Sequence, residues 1–539
     1  MAELDTVKVL VGKLRERLTS GGISSYEEYH TIFLEFLGKP ASLEVKSHGE
    51  VYTPLSLIQE MLDKLPVEVW LNPSLMWFEP ACGLAPFLYC VYHRLMAGLT
   101  GVIGDESERR RHILETMLYF NEIQPKNLEL MKVLFNAGEY RLNIFEGDGL
   151  KVVPSSFRAD IIVGNPPYND GSGNKGKGHT LWTKFVEQSL TNWLTPSGHL
   201  LFVTPALWRQ FDHPLQNIMK AKQIVSLDIY NEQAGLRTFK CNTRYDVYLI
   251  KNEPYTTPTI IKSEDESVVE VDIRRLAFVP NYHYELLLRL TSKSQKVQIL
   301  HSESSYEVRK NWMSHIKEGD YKYPCVYSIN KQNVATYKWS SRTDKGMFGV
   351  PKLIFGGGAT GFLVDANGDY GLTQWATGIV DEVENLEAIR TCLESKNFQS
   401  LKLAMSVSKV EINRKILAQF NNDFWRELSS LELFPLVVIE DKCQAVTTTG
   451  KQCTRKKVEC DYCTQHSKSG SSSVQLSSAK ADNSAGSSSA NLDCRRLADS
   501  IGKKGYTVDQ LKSYARERNL VFKSTATKNV LRELLLASC

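Results

Sequence analysis

The stretch ADIIVGNPPYND, residues 159–170, decides how this chain is read. Ile161, Ile162 and Val163 make a short, continuous run of β-branched side chains, the pattern of a strand buried on both faces of a parallel sheet. The run gives way to Asn165, Pro166, Pro167 and Tyr168. Proline lacks an N–H and fixes φ, so the pair ends the strand and stiffens the loop behind it. Ligands of an open parallel sheet sit in the crevice beyond the carboxyl ends of its strands. An amide and a phenol at that place therefore call for a chemical explanation.

Similar runs recur on both sides, at MWFEPACG (76–83), TMLYFNEI (116–123), GHLLFVTP (198–205), IVSLDIYN (224–231) and YDVYLIKN (245–252), with helical stretches between them. That alternation predicts an α/β fold, a mostly parallel doubly wound sheet with crossover helices, over residues 46–270. Residues 1–45 read as helical, with Val7, Leu10, Leu14 and Leu18 at helical spacing. Residues 271–440 change texture to strand-like pieces with Gly and Asn turns, followed by helical patterns, and read as an α+β domain. Within it, Asn367-Gly368 is the expected turn of a hairpin.

Three more strand ends match the first. FEPACGLAPF (78–87) ends a strand in Glu79 and a turn of small residues, Ala81, Cys82 and Gly83, which lets backbone approach a ligand. YFNEIQP (119–125) ends one in Glu122, suited to two ribose hydroxyls, and NIFEGDGL (143–150) ends one in Asp148, an acceptor for an exocyclic amine. Together they would bind an adenosyl group. Asn165 then explains itself. An aromatic amine such as adenine N6 is a poor nucleophile because its lone pair is delocalised into the ring. If the Asn165 side-chain carbonyl and the Pro166 backbone carbonyl both accept its N–H protons, the nitrogen moves toward tetrahedral geometry and the lone pair is freed. Tyr168 can stack on the base.

In order, GEVYTP (49–54), FEPACGLAPF, YFNEIQP, EGDGL, GNPPY, GHLLFVTP and FKCNTRYDVYLI (239–250) resemble the S-adenosylmethionine-dependent amino-methyltransferases of DNA, in the gamma-group motif order of adenine-N6 enzymes. The resemblance covers roughly residues 45–255 and implies a Rossmann-like methyltransferase domain with S-adenosyl-L-methionine as cofactor. It implies that Tyr52, Thr53 and Pro54 border the methionine end, and that Glu79, Ala81, Cys82 and Gly83 form the cradle. Glu122 would hold the ribose, Ile123 flank the cofactor adenine and Asp148 take its N6. Asn165, Pro166, Pro167 and Tyr168 would act on the target base, with Phe239 as a second wall of its pocket. One departure stands out. Ala85-Pro86 occupies the place of a second glycine, which an alanine tolerates unless φ is positive there, so weakened cofactor binding is expected.

The implied activity is methylation of adenine N6 in a specific double-stranded DNA sequence, as in a restriction-modification system, on a base flipped out of the duplex. Residues 271–440 would read the sequence, with NKQNVATYKWSSRTDKG (330–346) and Gly356-Gly357-Gly358 as candidates. The loop NDGSGNKGKGHT (169–180) would close on the flipped base or simply be a surface loop. The same Asn-Pro-Pro-Tyr serves enzymes acting on RNA or on a protein glutamine, and a catalytically impaired DNA-binding protein is a further alternative. GEVYTP and the large downstream domain favour DNA. A separate restriction endonuclease is compatible with this reading, and one copy of the chain is expected on DNA.

Net charge is +4 overall, but residues 441–539 hold 17 Lys and Arg against 9 Asp and Glu, leaving 48 against 52 for the rest. A basic tail on a slightly acidic body suits a nucleic-acid tether. Residues 441–466 gather Cys443, Cys453, Cys463 and His466, with Cys460 to spare, a set that suits one closed structural zinc site. Small Cys/His modules of this kind resemble those of eukaryotes and large DNA viruses. Residues 467–492 hold 11 serines in 26 positions and read as a flexible linker. Residues 493–539 carry two short helical patterns that resemble a SAP module, a DNA-binding helical hairpin. No apolar run approaches the roughly 18 residues of a membrane span, and the chain does not open with a signal-peptide pattern. A soluble, intracellular protein of cytoplasm or nucleus is expected, with no membrane partner.

Overall fold

The computed structural model describes residues 9, 11–16, 53–136, 138–169, 180–356, 361–407 and 411–431, all within one compact unit. Tyr52, Gly357, Gly358, most of the 169–180 loop, the Cys/His set and residues 467–539 lie outside them.

A nine-stranded sheet carries the first part of the molecule. Its strands are β1 (Trp77–Glu79), β2 (Leu118–Glu122), β3 (Asn143–Glu146), β4 (Ala159–Gly164), β5 (Leu194–Pro205), β6 (Lys222–Tyr230), β7 (Tyr245–Pro254), β8 (Thr259–Lys262) and β9 (Val268–Val271). They lie in the order β3-β2-β1-β4-β5-β7-β6-β8-β9. The first five pair in parallel, as the alternation of runs and helices predicts. β7 runs antiparallel between β5 and β6, which makes the sheet mixed.

Because successive side chains of a strand point to opposite faces, each apolar run feeds two cores at once. Trp77, Ile161, Val163, Leu201, Val203, Val247 and Leu249 join one cluster, with α1 (Leu55–Leu62) and α2 (Pro86–Gly98) over them. Phe78, Ile162, Leu200, Phe202, Tyr248 and Ile250 join the other, under Trp182, Trp193 and Trp208. Leu14 of the leading helical segment is buried in the first cluster. Among the described residues, no helix is long and apolar enough to cross a membrane.

Downstream, β10 (Gln298–His301), β11 (Met313–Ser314), β12 (Tyr323–Ile329), β13 (Ala335–Ser340), β14 (Lys352–Gly356), β15 (Phe362–Asp365), β16 (Gly371–Leu372) and β17 (Ala376–Val380) form two four-stranded sheets. Their orders are β10-β17-β14-β15 and β11-β13-β12-β16. Helices Val383–Glu394, Lys396–Met405 and Phe424–Ser430 pack with the first of these sheets. The expected hairpin at Asn367-Gly368 does not form: β15 pairs with β14 and β16 with β12, so the turn passes the chain from one sheet to the other. A two-residue type I′ hairpin needs positive φ at both central residues, and only Gly368 has it. The buried Asp365 carboxylate instead accepts from the N–H groups of Asp369 (2.7 Å) and Tyr370 (3.1 Å), turning the chain away.

A buried arginine links the two parts. Arg209, fully buried, donates through Nε to Asp246 of β7 (2.8 Å) and through Nη1 to Val279 O and Asn281 Oδ1. Asn281 in turn donates to Leu403 O and Ser406 O of the downstream helices.

Candidate active site

The parallel register brings the carboxyl ends of β1, β2, β3 and β4 side by side, with Glu79 beside Phe120 and Glu122 beside Glu146. Beyond β1 the chain makes a tight turn before α2. Cys82 N–H donates to Asn121 O (2.9 Å), and Gly83, at φ +57°, donates its N–H to Glu122 Oε2 (2.7 Å). Ala85 holds φ +57° and ψ +50° immediately before Pro86 opens the helix. The position where the resembling family has a glycine is therefore left-handed here as well, at a cost of about 1 kcal/mol or more for an L-residue.

Glu122 is buried, and its second oxygen accepts from Gln124 N–H at 2.6 Å. Each carboxylate oxygen has about two lone-pair sites, so ribose hydroxyls can still be accepted. Ile123 follows, with 56% of its surface exposed at the strand end. Asp148 caps a single helical turn, accepting from Leu150 N–H (3.2 Å), and pairs with Lys151 (2.9 Å). Glu79, 2% exposed, accepts from Leu88 N–H at 3.3 Å. Burial first, and then the nearby Glu122, push its carboxyl well above the usual carboxylate range, against the effect of the Leu88 N–H. Burial also raises the Cys82 thiol, with Glu122 and Glu79 adding to it, so the thiol stays neutral.

β4 ends at Gly164 with φ +148°, a conformation that L side chains rarely adopt, so the backbone and not space calls for glycine there. Asn165 follows at once. Its Nδ2 donates to Oγ1 of the buried Thr53 at 3.0 Å, which fixes the amide plane and makes Oδ1 its accepting atom. Pro54 opens α1 directly after Thr53. Pro166 is buried and Pro167 half-buried. The Tyr168 ring packs against the second core cluster. Burial raises its hydroxyl, and Cys241, Tyr245, Tyr248 and Asp246 add to the shift. Leu181 N–H donates to Tyr168 O (3.1 Å) and Asn169 bridges to Thr180, so the loop between is closed at its base. Phe239 meets Tyr245 edge-on at 4.9 Å and packs against the first core cluster, whereas Tyr168 packs against the second.

Sequence reasoning missed three supports. Asn121 ties the end of β3 in place, donating to Phe145 O (2.7 Å) and Gly147 O (3.1 Å). A Cβ at Gly149 would collide with the Asn121 side chain, and one at Gly235 with Thr243 O, which folds the 241–243 loop onto helix Glu232–Phe239. The glycines of EGDGL were visible as a pattern. Asn121 carried no signal, because its partners are 24 and 26 residues away.

The fold is a doubly wound α/β domain in which Asn165 follows β4 beside the carboxylates that close β1 and β2. Residues 28–194, just under a third of the chain, match the family described as N-6 DNA Methylase. An uncharacterized adenine-specific methylase of Mycoplasma pneumoniae is 42% identical over 75 residues, which are 13% of this chain and 18% of that protein. Among solved structures, the chain resembles the modification subunit of a putative type I restriction enzyme from Vibrio vulnificus (18% identity, TM-score 0.34, 45% of this chain and 53% of that one). It also resembles the type IIL restriction-modification enzyme MmeI in complex with DNA (12% identity, TM-score 0.42, 73% and 70%). The chain thus spans under a fifth of the curated relative it matches and about half of the Vibrio subunit.

Proposed function

We propose that this chain methylates adenine N6 in a specific sequence of double-stranded DNA, using S-adenosyl-L-methionine. The observation that carries the reading is Asn165, set by Gly164 at the end of β4 and oriented by Thr53 at 3.0 Å, beside the Glu79–Glu122 crevice. The crevice suits a nucleoside: a left-handed Gly83 without a side chain, a buried carboxylate at Glu122 and an exposed apolar Ile123. When bound, S-adenosyl-L-methionine supplies an electrophilic methyl group. In this reading Glu122 takes the ribose hydroxyls, Ile123 flanks the adenine ring and Asp148 accepts from its exocyclic amine. Ala81, Cys82 and Gly83 allow backbone to approach, with Tyr52, Thr53 and Pro54 at the methionine end.

On the target side, Asn165 Oδ1 and the Pro166 carbonyl accept the two N6–H protons, while Pro167 stiffens the loop. These two acceptors would draw the nitrogen toward tetrahedral geometry and free its lone pair for the methyl group that the cofactor would supply, whose S–C bond breaks as the N–C bond forms while the surplus N6 proton leaves to water. Tyr168 and Phe239 wall the base. Residues 271–440 are assigned to target recognition, residues 441–466 to a structural zinc module and residues 493–539 to a SAP-like DNA tether on the 467–492 linker. A partner endonuclease in a restriction-modification system and one chain per DNA site complete the reading.

Asn165→Ala should lower kcat by at least about 100-fold, the effect of losing one preorganised polar group. Cofactor affinity by calorimetry should stay near wild type. Wild-type turnover in that variant would end the assignment.

A further inference from the structure

At the β11 edge of the second small sheet, cations gather around two aromatic rings. Lys310, Arg342 and Lys345 lie 5.8, 5.5 and 5.4 Å from the centre of the Trp312 ring, and Lys322 lies 5.3 Å from that of Tyr323. Trp312, Tyr323 and Arg342 line an open cleft of about 670 Å³, together with Asn311, Thr343 and Asp344. Residues 309–345 hold eight Lys and Arg against three Asp and Glu, a net of +5 in a chain whose total is +4. Arg342 is paired with Asp344. Lys310, Lys322 and Lys345 make no ion pair among the described residues. Asp344 offsets Arg342, but Lys310 and Lys345 stand against the same indole without an ion pair among the described residues, held there by the aromatic ring. A polyanion laid along this edge would supply the missing counter-charge.

We propose that this cleft grips the phosphate backbone of duplex DNA and takes no part in reading its bases. The inference rests on the function proposed above. Asn330 and Asn333 of the neighbouring stretch, amides of the kind suited to adenine edges, are already used within the fold. Asn330 Oδ1 accepts from the N–H groups of Gln332 and Val334. Asn333 accepts from Phe362 N–H and donates to Glu394. What this edge offers a ligand is mainly cations and flat rings, with Asn311 and Thr343 beside them. Phosphate contacts of this sort fix register and orientation and carry no sequence information.

The test is the triple substitution Lys310→Ala, Lys322→Ala and Lys345→Ala in the full chain. Binding to a duplex of about 30 base pairs is followed by fluorescence anisotropy across a salt series, with methylated sites mapped by sequencing. Each phosphate contact contributes about 0.9 to the slope of log K against log salt, so a slope shallower by about two to three is expected. The methylated sequence and the affinity for S-adenosyl-L-methionine should be retained. The triple Lys→Arg variant keeps the charges and should restore the wild-type slope, which separates loss of contact from misfolding. An unchanged slope in the alanine variant, with wild-type methylation intact, overturns the cleft and leaves the function standing. An altered methylated sequence overturns the backbone role in favour of base reading. A wild-type chain that neither binds nor methylates duplex DNA overturns the function, and the cleft with it.

Discussion

Glu79 and Asp365 are equally buried, each 2% exposed, yet the two parts of the molecule treat them in opposite ways. Asp365 is fully provided for. Lys352 Nζ lies 2.6 Å away, itself buried and also donating to Val350 O, and two backbone N–H groups donate to the carboxylate. Glu79 accepts from one backbone N–H at 3.3 Å, makes no ion pair among the described residues and has a second carboxylate, Glu122, for a neighbour. A buried acid with a complete set of partners holds a fold together, as Asp365 holds the crossing between two sheets. A buried acid with a second acid nearby at a strand end is costly unless a ligand is to be met there. Charge compensation thus separates scaffold from site more sharply than burial does.

The largest break in this comparison comes from Lys352→Met, which keeps the aliphatic stem and strands the Asp365 charge. It should cost about 3–5 kcal/mol of stability in urea unfolding, the usual effect of breaking a buried pair from one side. A loss below about 1 kcal/mol would mean that Asp365 needs no cation and that the contrast with Glu79 is empty.

Glu79→Gln should act in the other direction. The folded-state carboxyl titrates well above its unfolded value of 4.5, so between those two points the folded chain binds more protons than the unfolded chain. Stability therefore falls as pH rises through that window. The variant lacks this titration, so its melting temperature should exceed wild type at pH 8, with the advantage shrinking toward pH 4.5. Equal pH profiles would show that Glu79 is as well compensated as Asp365.

Ala85→Gly sharpens the account of the cofactor turn. It relieves a left-handed alanine but adds backbone entropy to the unfolded chain, so the net gain should stay below about 1 kcal/mol by thermal melting. Cofactor affinity should rise slightly, and a fall would show that the Ala85 methyl packs usefully. The smallest effect is expected from Tyr168→Phe. The buried Tyr168 hydroxyl finds no hydrogen-bond partner among the described residues. Methylation rate should therefore stay within about threefold of wild type. A larger loss would give the hydroxyl a role in the base pocket.

The sequence by itself determined the doubly wound sheet and the strand ends that carry the candidate site. Continuous apolar runs had to be strands buried on both faces, and prolines, glycines and acids at their ends marked the crevice. These are local signals, because period, chain stiffness and missing N–H groups act within a few residues. It also placed Glu79, Glu122, Asp148 and Asn165 at strand ends, since each closes its own run. Only the tertiary structure decided how they are held. Thr53 orients Asn165 across 112 residues of chain, Asn121 fastens the end of β3, and Arg209 and Asn281 join the sheet to the helices after residue 396. The turn at Asn367-Gly368 was misread for the same reason. A dipeptide signals a turn, but the buried Lys352–Asp365 pair, formed between two strands, decides which sheet the chain enters next. Hydrogen bonds and ion pairs between distant segments leave no periodic trace in a sequence, because their geometry exists only after the strands have been brought together.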